Sequence, residues 1–271
     1  MRTLVITLKD VGFLKIIYRL IFEIKKIFYL IIPSIILKKV FLSEKKYINW
    51  DKEIFLNFKL SFSPPKFKEG NKKKFYFKFL NEKKIVNFPN DWNNKSQSKL
   101  WNFNLHYFDW ARIWLEKAID KSFWEVDSLY IGNIIDNWID NNYTGKGNAW
   151  NSYTISLRIR NWIWLFRCCP NIATSKRIVS LWEQMIWLNN NKENCYGGNH
   201  LLENLTSLLI CSIQFRDKRS IIIFKNSLNF LKRELDKQIL SDGGHEERSA
   251  SYHLLILDRL LEVFCTLRIA K

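Results

Sequence analysis

The chain has 271 residues, of which 47% are hydrophobic, with 12 Trp and 20 Phe, so it can build one large core or two ordinary ones. This composition excludes a chain that is disordered throughout. The formal net charge is +17, and residues 1–80 hold 18 Lys and Arg against 6 Asp and Glu. This N-terminal excess favours an anionic polymer or a membrane surface as partner. A coding sequence rich in A and T would produce much of the same composition without any function.

The N-terminal region, residues 1–48, is predicted to form a basic amphipathic helix over about 13–30. The apolar run at 27–37 is only 11 residues long and contains Pro33, whereas a membrane-spanning helix needs about 20 apolar residues. No cleavage site of a signal peptide follows it. We expect the helix to pack on the rest of the protein, and the alternative is that it lies on a membrane surface.

Residues 49–100 are predicted to form a connecting arm with one or two short strands. The arm contains Ser-Pro-Pro at 63–65, a lysine run at 72–74 and an aromatic-rich run at 75–79. It closes at 89–91, where Pro, Asn and Asp favour a turn. The main body follows this turn.

Residues 101–271 have helical periodicity with regular breaks, and no comparably long strand run appears among them. The predicted helices span roughly 103–118, 127–142, 154–169, 175–190, 199–214, 218–240 and 250–268. Successive helices with short links pack antiparallel, so this region is predicted to be an all-α stack of helical hairpins. Such a stack either extends as a solenoid or closes into an α/α toroid whose inner helices line a cleft.

A glycine-led segment begins the fifth of these helices and carries a polar stripe. Asn199 follows two glycines and is predicted to be the N-cap. The stripe consists of His200, Glu203, Asn204 and Ser207. Because the rest of this helix is largely apolar, the stripe is expected to line an internal cleft. The alternative is a capping Asn followed by a histidine that hydrogen-bonds inside the core.

Other polar residues cluster around the histidines and around Arg158. The four histidines, each in a polar or aromatic cluster, are His106, His200, His245 and His253. Arg158 and Asn161 lie one turn apart on a helix rich in Trp and Ile. A buried arginine needs a carboxylate or an anionic ligand. Arg158 is therefore predicted either to pair with Asp109 or Glu203 or to bind an anionic substrate.

Several kinds of site lack support in the sequence. There is no HExxH pattern, and the five cysteines show neither metal-ligand spacing nor a disulfide framework, so no metal and no cofactor is predicted. A GxSxG elbow, a P-loop and a dinucleotide loop are also absent. Nucleic-acid binding is not predicted, because the aromatic residues follow the spacing of a helical core and no recognised module is visible.

Proton abstraction next to a carboxylate fits the remaining residues. Removing the C5 proton of a uronic acid creates an enolate-like anion, so the site needs a neutral or cationic donor against the carboxylate and a base for the proton. Asn199 and His200 are candidates for the first role. Tyr252 is the candidate base and, through the same hydroxyl, the acid for the leaving oxygen, with Arg248 or His253 favouring its deprotonation.

Four motifs, in order along residues 101–253, resemble the N-terminal domain of the heparinase II/III-like polysaccharide lyases. They are Trp101-Asn-Phe-Asn-Leu-His-Tyr-Phe-Asp109, Ser156-Leu-Arg-Ile-Arg-Asn-Trp162, Gly198-Asn-His-Leu-Leu-Glu-Asn204 and Asp242-Gly-Gly-His-Glu-Glu-Arg-Ser249 with Tyr252-His253. The resemblance implies an all-α fold, an incomplete α/α toroid of helical hairpins preceded by the basic helix and the strand-containing arm.

The resemblance also implies roles for individual residues. Asn199 and His200 would neutralise the uronate carboxylate, and Tyr252 would be the catalytic acid and base. Glu203 would support the cleft as a substrate-binding residue. The further substrate-binding residues, predicted from the polar clusters themselves, are Arg158, Arg248, His253 and His106. The expected function is that of a polysaccharide lyase-like protein whose ancestral reaction is β-elimination on a uronate-containing acidic polysaccharide.

Members of the family continue with more toroid helices and a C-terminal β-sandwich domain that contributes a further catalytic histidine, whereas this chain ends at Lys271. Activity of the chain by itself therefore stays open. A second polypeptide that supplies the missing domain and a truncated gene model are two alternatives. A third is a non-catalytic remnant or a binding module for an anionic glycan or envelope component. The family is often periplasmic or secreted, but no localisation is assigned to this chain.

Overall fold

The structure is a computed structural model, and it describes residues 13–42, 75–117 and 124–269. The Ser-Pro-Pro sequence and the lysine run of the arm lie outside these residues. Ten α-helices occur in the described ranges. They are α1 (Phe13–Ile31), α2 (Ser34–Leu42), α3 (Lys99–Tyr107), α4 (Asp109–Lys117), α5 (Trp124–Asn141), α6 (Ser152–Cys168), α7 (Ser175–Asn190), α8 (Gly198–Ser212), α9 (Lys218–Gln238) and α10 (Ala250–Ile269).

The two strands of the arm form an antiparallel hairpin, β1 (Phe75–Phe79) and β2 (Glu82–Val86), in which Tyr76 pairs with Ile85. Phe77 and Val86 are fully buried in the same core as the helices. The arm is therefore packed onto the helical body, although its predicted limits and those of the other two regions stay predictions.

The helices form two layers, which is the arrangement of an α/α toroid. In the inner row α4, α6, α8 and α10 pack in succession, and in the outer row α7 packs on α5. Each outer helix joins two inner ones through short links, as the antiparallel hairpins predict. The all-α prediction is confirmed. Because inner helices of such a fold run in the same direction, the starts of α6 and α8 lie side by side, with the rings of Tyr153 and His200 4.5 Å apart.

The helix predicted over 103–118 is divided in two. Phe108 adopts a left-handed conformation with φ 63°, which ends α3 and redirects the chain into α4. Both helices then pack against α6. The break places the Phe108 ring inside the core, 5.1 Å from Trp110 and 5.4 Å from Trp162, so packing outweighs the cost of the unusual backbone.

The N-terminal helix packs on the body, as expected, through Lys25, Glu23 and Tyr29, and Pro33 separates it from α2. Leu37 of α2 is buried in the main core. None of the helices in the described part of the chain is long and apolar enough to cross a membrane. The five cysteines have no disulfide partner, with Cys169 and Cys211 buried and the other three half-buried.

Candidate functional site

The start of α8 is shaped by two glycines with left-handed backbones, Gly197 at φ 63° and Gly198 at φ 53°. A side chain at either position would strain this turn. The prediction that Asn199 caps the helix was wrong, because α8 begins at Gly198 and Gly197 is the N-cap residue. The Asn199 side chain instead reaches the loop before α10, where its Nδ2 donates a long hydrogen bond of 3.5 Å to Glu247 Oε1.

His200 lies at this helix start with 55% of its side chain exposed. Its ring stacks on Tyr153, and its Nδ1 is 3.4 Å from Oε1 of Glu193, whose side chain is buried. The hydrogen bond to Glu193 raises the pKa of His200, against the opposing effect of burial. The arrangement therefore stabilises the imidazolium form of a side chain that is open to solvent.

A buried polar network holds Glu193 in place beneath His200. The Glu193 backbone N–H donates to Asn204 Oδ1 at 2.8 Å, and Asn204 Nδ2 donates to Glu193 Oε2 at 3.3 Å and to Ser156 Oγ at 3.0 Å. Ser207 donates to the Ser156 carbonyl. Only His200 of the predicted polar stripe is therefore open to solvent, while Asn204 and Ser207 join α8 to α6.

Glu203 links three inner helices through a buried ion-pair cluster. Its carboxylate binds Arg160 Nη1 of α6 and Arg259 Nε of α10, each at 2.7 Å. Arg160 also pairs with Glu262. Burial alone would raise the pKa of Glu203, but Arg160 and Arg259 together bring it below the ordinary value. Glu203 is thus an ionised residue that positions the inner helices under the cleft.

Arg158 lies in the core and does not pair with Asp109 or Glu203. Its Nε donates to Gln184 Oε1 at 2.7 Å, its Nη2 donates to the Ala149 carbonyl at 2.8 Å, and its guanidinium lies 4.0 Å from the Trp138 ring centroid. Burial lowers its pKa. Neutral oxygens and an aromatic face therefore replace the expected carboxylate or substrate.

His106 is also fully buried, and its Nδ1 accepts a hydrogen bond from Trp138 Nε1 at 3.1 Å. Its ring stacks on Trp92. Burial, with the nearby charge of Arg158, lowers the pKa of His106 to about 3, so the ring is neutral. The structure thus places neither His106 nor Arg158 where a substrate could reach it, and we remove both from the candidate site.

Asn161 fixes the bend between α3 and α4 at the edge of the cleft. Its Nδ2 donates to Asp109 Oδ1 at 2.6 Å and to the Tyr107 carbonyl at 2.9 Å. Tyr107 in turn contacts Tyr153 edge to face. The motif around Asp109 therefore shapes the cleft wall, while its histidine and aromatic residues form the core.

The loop before α10 and the first turn of α10 form the second side of the candidate site. Arg248 is exposed, with a left-handed backbone at φ 48°, and lines an open groove of about 760 Å³ together with His253. Tyr252 keeps 40% exposure, and its ring is 6.2 Å from that of His245. The Asn199 to Glu247 contact joins this side to the start of α8, where His200 lies.

Residues 66–271 match the family model described as Heparinase II/III N-terminus. The chain belongs to this family. A comparison with curated protein sequences gave no significant match.

Solved lyases of this family share the fold. The chain is similar to a heparan sulfate lyase from Pedobacter heparinus, with 17% identity, a TM-score of 0.55 and 72% of this chain aligned to 32% of the lyase. A mutant of a heparan sulfate lyase from the same organism is 17% identical with a TM-score of 0.53, and 73% of this chain aligns to 33% of it. A heparinase III is 18% identical with a TM-score of 0.53, and 66% of this chain aligns to 32% of it. The chain thus spans about a third of their length. At this identity the likeness shows the toroid fold, which confirms that prediction.

Sequence reasoning missed four residues of the candidate site: Glu193, Tyr153, Arg160 and Arg259. Helical spacing offered a signal for two of them, since positions 153, 156 and 160 share one face of α6. Burial raises the pKa of Tyr153 to about 12, so it stays a neutral hydroxyl. No three His, Cys, Asp or Glu side chains converge as metal ligands within the described ranges.

We expect Glu193→Gln to lower the pKa of His200, because the variant loses the carboxylate that stabilises the imidazolium. Proton NMR of the imidazole across a pH titration measures this directly. Since the folded-state pKa is raised above 6.5, the stability from this contact is present below pH 6.5 and is lost as pH rises through the folded-state pKa. Asp140→Asn on the exposed surface of α5 is the matched control and should leave the His200 titration unchanged.

Proposed function

We propose that this chain carries the carboxylate-binding part of a lyase site that acts on a uronate-containing acidic polysaccharide by β-elimination. The observation that carries the proposal is the exposed His200 beside Asn199, with its Nδ1 3.4 Å from the buried Glu193 carboxylate, which raises the pKa of His200. A cation and an amide at the open start of an inner helix suit a carboxylate ligand. Membership of the heparinase II/III family supports the same chemistry.

The residues divide the reaction between the two sides of the cleft. Asn199 and His200 bind the uronate carboxylate and stabilise the negative charge that develops when the C5 proton leaves. Tyr252 takes that proton, the electron pair forms the C4–C5 double bond, and the bond from C4 to the leaving oxygen breaks. The leaving oxygen then receives a proton from the same tyrosine hydroxyl. Arg248 and His253 support the phenolate and the sugar chain on this side.

The proposal also includes an acidic polysaccharide as the substrate class and a site that further residues complete. Two of the similar solved structures are heparan sulfate lyases, which act on an acidic polysaccharide. This chain spans about a third of their length, so we propose that full activity uses further residues, supplied by a second polypeptide or by a longer form of the chain.

The test is an assay for the unsaturated uronide, which absorbs ultraviolet light. The chain is incubated with heparan sulfate, with an alginate and with neutral dextran, both alone and mixed with a polypeptide that supplies the rest of such a lyase. We expect product from an acidic polymer only, and we expect His200→Ala to suppress it. Absence of product from every uronate polymer in both forms would contradict the lyase proposal.

A second candidate function is binding of an anionic glycan without cleavage. A cavity of about 390 Å³ lies between α1 and the start of α6, and it is favoured for this role by its three lysines, Lys25, Lys26 and Lys99, among aromatic and amide side chains. In this case retention of an acidic glycan should survive Tyr252→Phe and weaken with added salt. Retention that is indifferent to salt would contradict the binding function.

A further inference from the structure

The amphipathic helix α1 is oriented in the opposite sense to most surface helices. An amphipathic helix normally buries its apolar stripe and exposes its charges. In α1 the charged side contacts the body. Lys25 Nζ donates to the Asn190 carbonyl at 2.8 Å, and Tyr196 OH donates to Glu23 Oε1 at 2.7 Å. The apolar side is therefore left facing solvent.

The exposed apolar face continues from α1 into α2. Its members are each between 47% and 76% exposed, and they follow helical spacing along both helices. They are Leu20, Ile21, Ile24, Ile27, Phe28, Ile31, Ile35, Ile36 and Val40. An apolar patch of this size on a protein surface marks an interaction site. We call it the α1–α2 face.

The helix cannot turn to bury this face without breaking several contacts. Lys146 Nζ donates to the carbonyls of Tyr29, Leu30 and Ile32 at 2.6–2.7 Å, which holds the C-terminal end of α1. The Tyr29 ring packs 4.7 Å from that of Trp187. The exposure of the α1–α2 face is therefore built into the way the helix is attached.

The charge around the face selects its partner. Residues 13–42 contain six Lys and Arg and a single Glu. Three of these cations, Arg19, Lys38 and Lys39, are exposed and adjoin members of the face along the helices. A second copy of the chain would bring an equally basic border against this one, which is unfavourable. Anionic lipid headgroups complement the basic border, and the acyl boundary complements the apolar side chains. We propose that the α1–α2 face docks on the surface of an anionic membrane, with α1 lying in the plane of the interface.

This docking would place the candidate cleft close to the lipid. The Tyr196 ring contacts Phe22 of α1 at 5.8 Å and lies 6.3 Å from the ring of His200. The lipid surface is on the other side of α1, about one helix diameter of 10–12 Å away. The docking proposal does not depend on lyase activity, since it rests on the attachment and exposure of α1 alone.

Vesicle flotation of the full chain tests the proposal. We expect binding to phosphatidylcholine vesicles that contain phosphatidylglycerol and much weaker binding to phosphatidylcholine alone. Ile24→Glu with Ile27→Glu should reduce binding at least about a hundredfold, since burial of one isoleucine contributes about tenfold or more. Lys39→Gln should reduce binding to the anionic vesicles about fivefold.

Matched substitutions on another exposed apolar face provide the control. Leu254→Glu with Leu257→Glu on α10 changes two exposed leucines in the same way and should leave vesicle binding unchanged. Equal loss in both double variants would overturn the proposal, as would failure of the wild-type chain to float with anionic vesicles. Light scattering without lipid tests the alternative, in which a second copy of the chain covers the α1–α2 face. If the α1 variant converts an oligomer to a monomer and wild type binds no vesicles, the face is a contact between copies.

Discussion

Tyr252→Phe is expected to lower the rate of unsaturated-uronide formation by about 10²–10⁴-fold, the usual contribution of a general acid and base. The variant keeps the ring and removes only the hydroxyl whose oxygen we propose as the base for the C5 proton. Because Tyr252 is 40% exposed at the start of α10, the change should not disturb the core. The loss should fall on kcat with little change in KM, since the hydroxyl acts in the transition state. Initial rates at saturating and limiting polymer separate the two.

Tyr143 provides the control for this variant, because it is 67% exposed in the turn after α5 and lies outside the cleft. Tyr143→Phe should retain the wild-type rate. The measurement uses whichever form of the protein yields product, alone or completed by a second polypeptide. A Tyr252→Phe variant with undiminished kcat would remove Tyr252 from the reaction and would leave the carboxylate-binding role of His200 to be tested separately.

Glu203→Ala is expected to destabilise the fold by about 3 kcal/mol, which is the low end for breaking a buried ion pair. The variant leaves Arg160 and Arg259 facing each other in the interior. The cost stays at the low end because Glu262 still pairs with Arg160, and Asp258 with Arg259. Denaturant unfolding followed by circular dichroism measures the change.

The surface pair of Lys176 with Asp140 is the control for this variant. Both side chains are about half exposed, so Asp140→Ala should change stability by less than about 1 kcal/mol. The Glu203 contribution should also depend on pH. Its folded-state pKa is lowered, so the contribution is present above the unfolded-state pKa near 4.5 and is lost as pH falls through the folded-state value. Equal stability of the Glu203→Ala variant and wild type at neutral pH would contradict the anchoring role.

Two of the three arginines of α6 show why the site was only partly predictable. Arg158 and Arg160 are two positions apart on one helix, and sequence reasoning chose Arg158 as the residue near the carboxylates. In the structure Arg158 lies between Gln184 and Trp138, and Arg160 forms the ion pair with Glu203. Each decisive partner lies 20 or more residues away along the chain, so helical periodicity alone carries no information about it.

The sequence by itself determined most of the helices, their order and the family motifs, because apolar spacing, turn residues and glycines act over a few neighbouring positions. It also placed Asn199 and His200 at the start of α8. In the structure Asn199 is not the N-cap residue, and His200 is not buried in the core. Only the tertiary structure decided that Glu193 lies under His200, that Arg158 and His106 belong to the core, and that α1 leaves its apolar side exposed. These outcomes depend on which distant groups meet and on how each buried charge is compensated, and local sequence patterns do not record either.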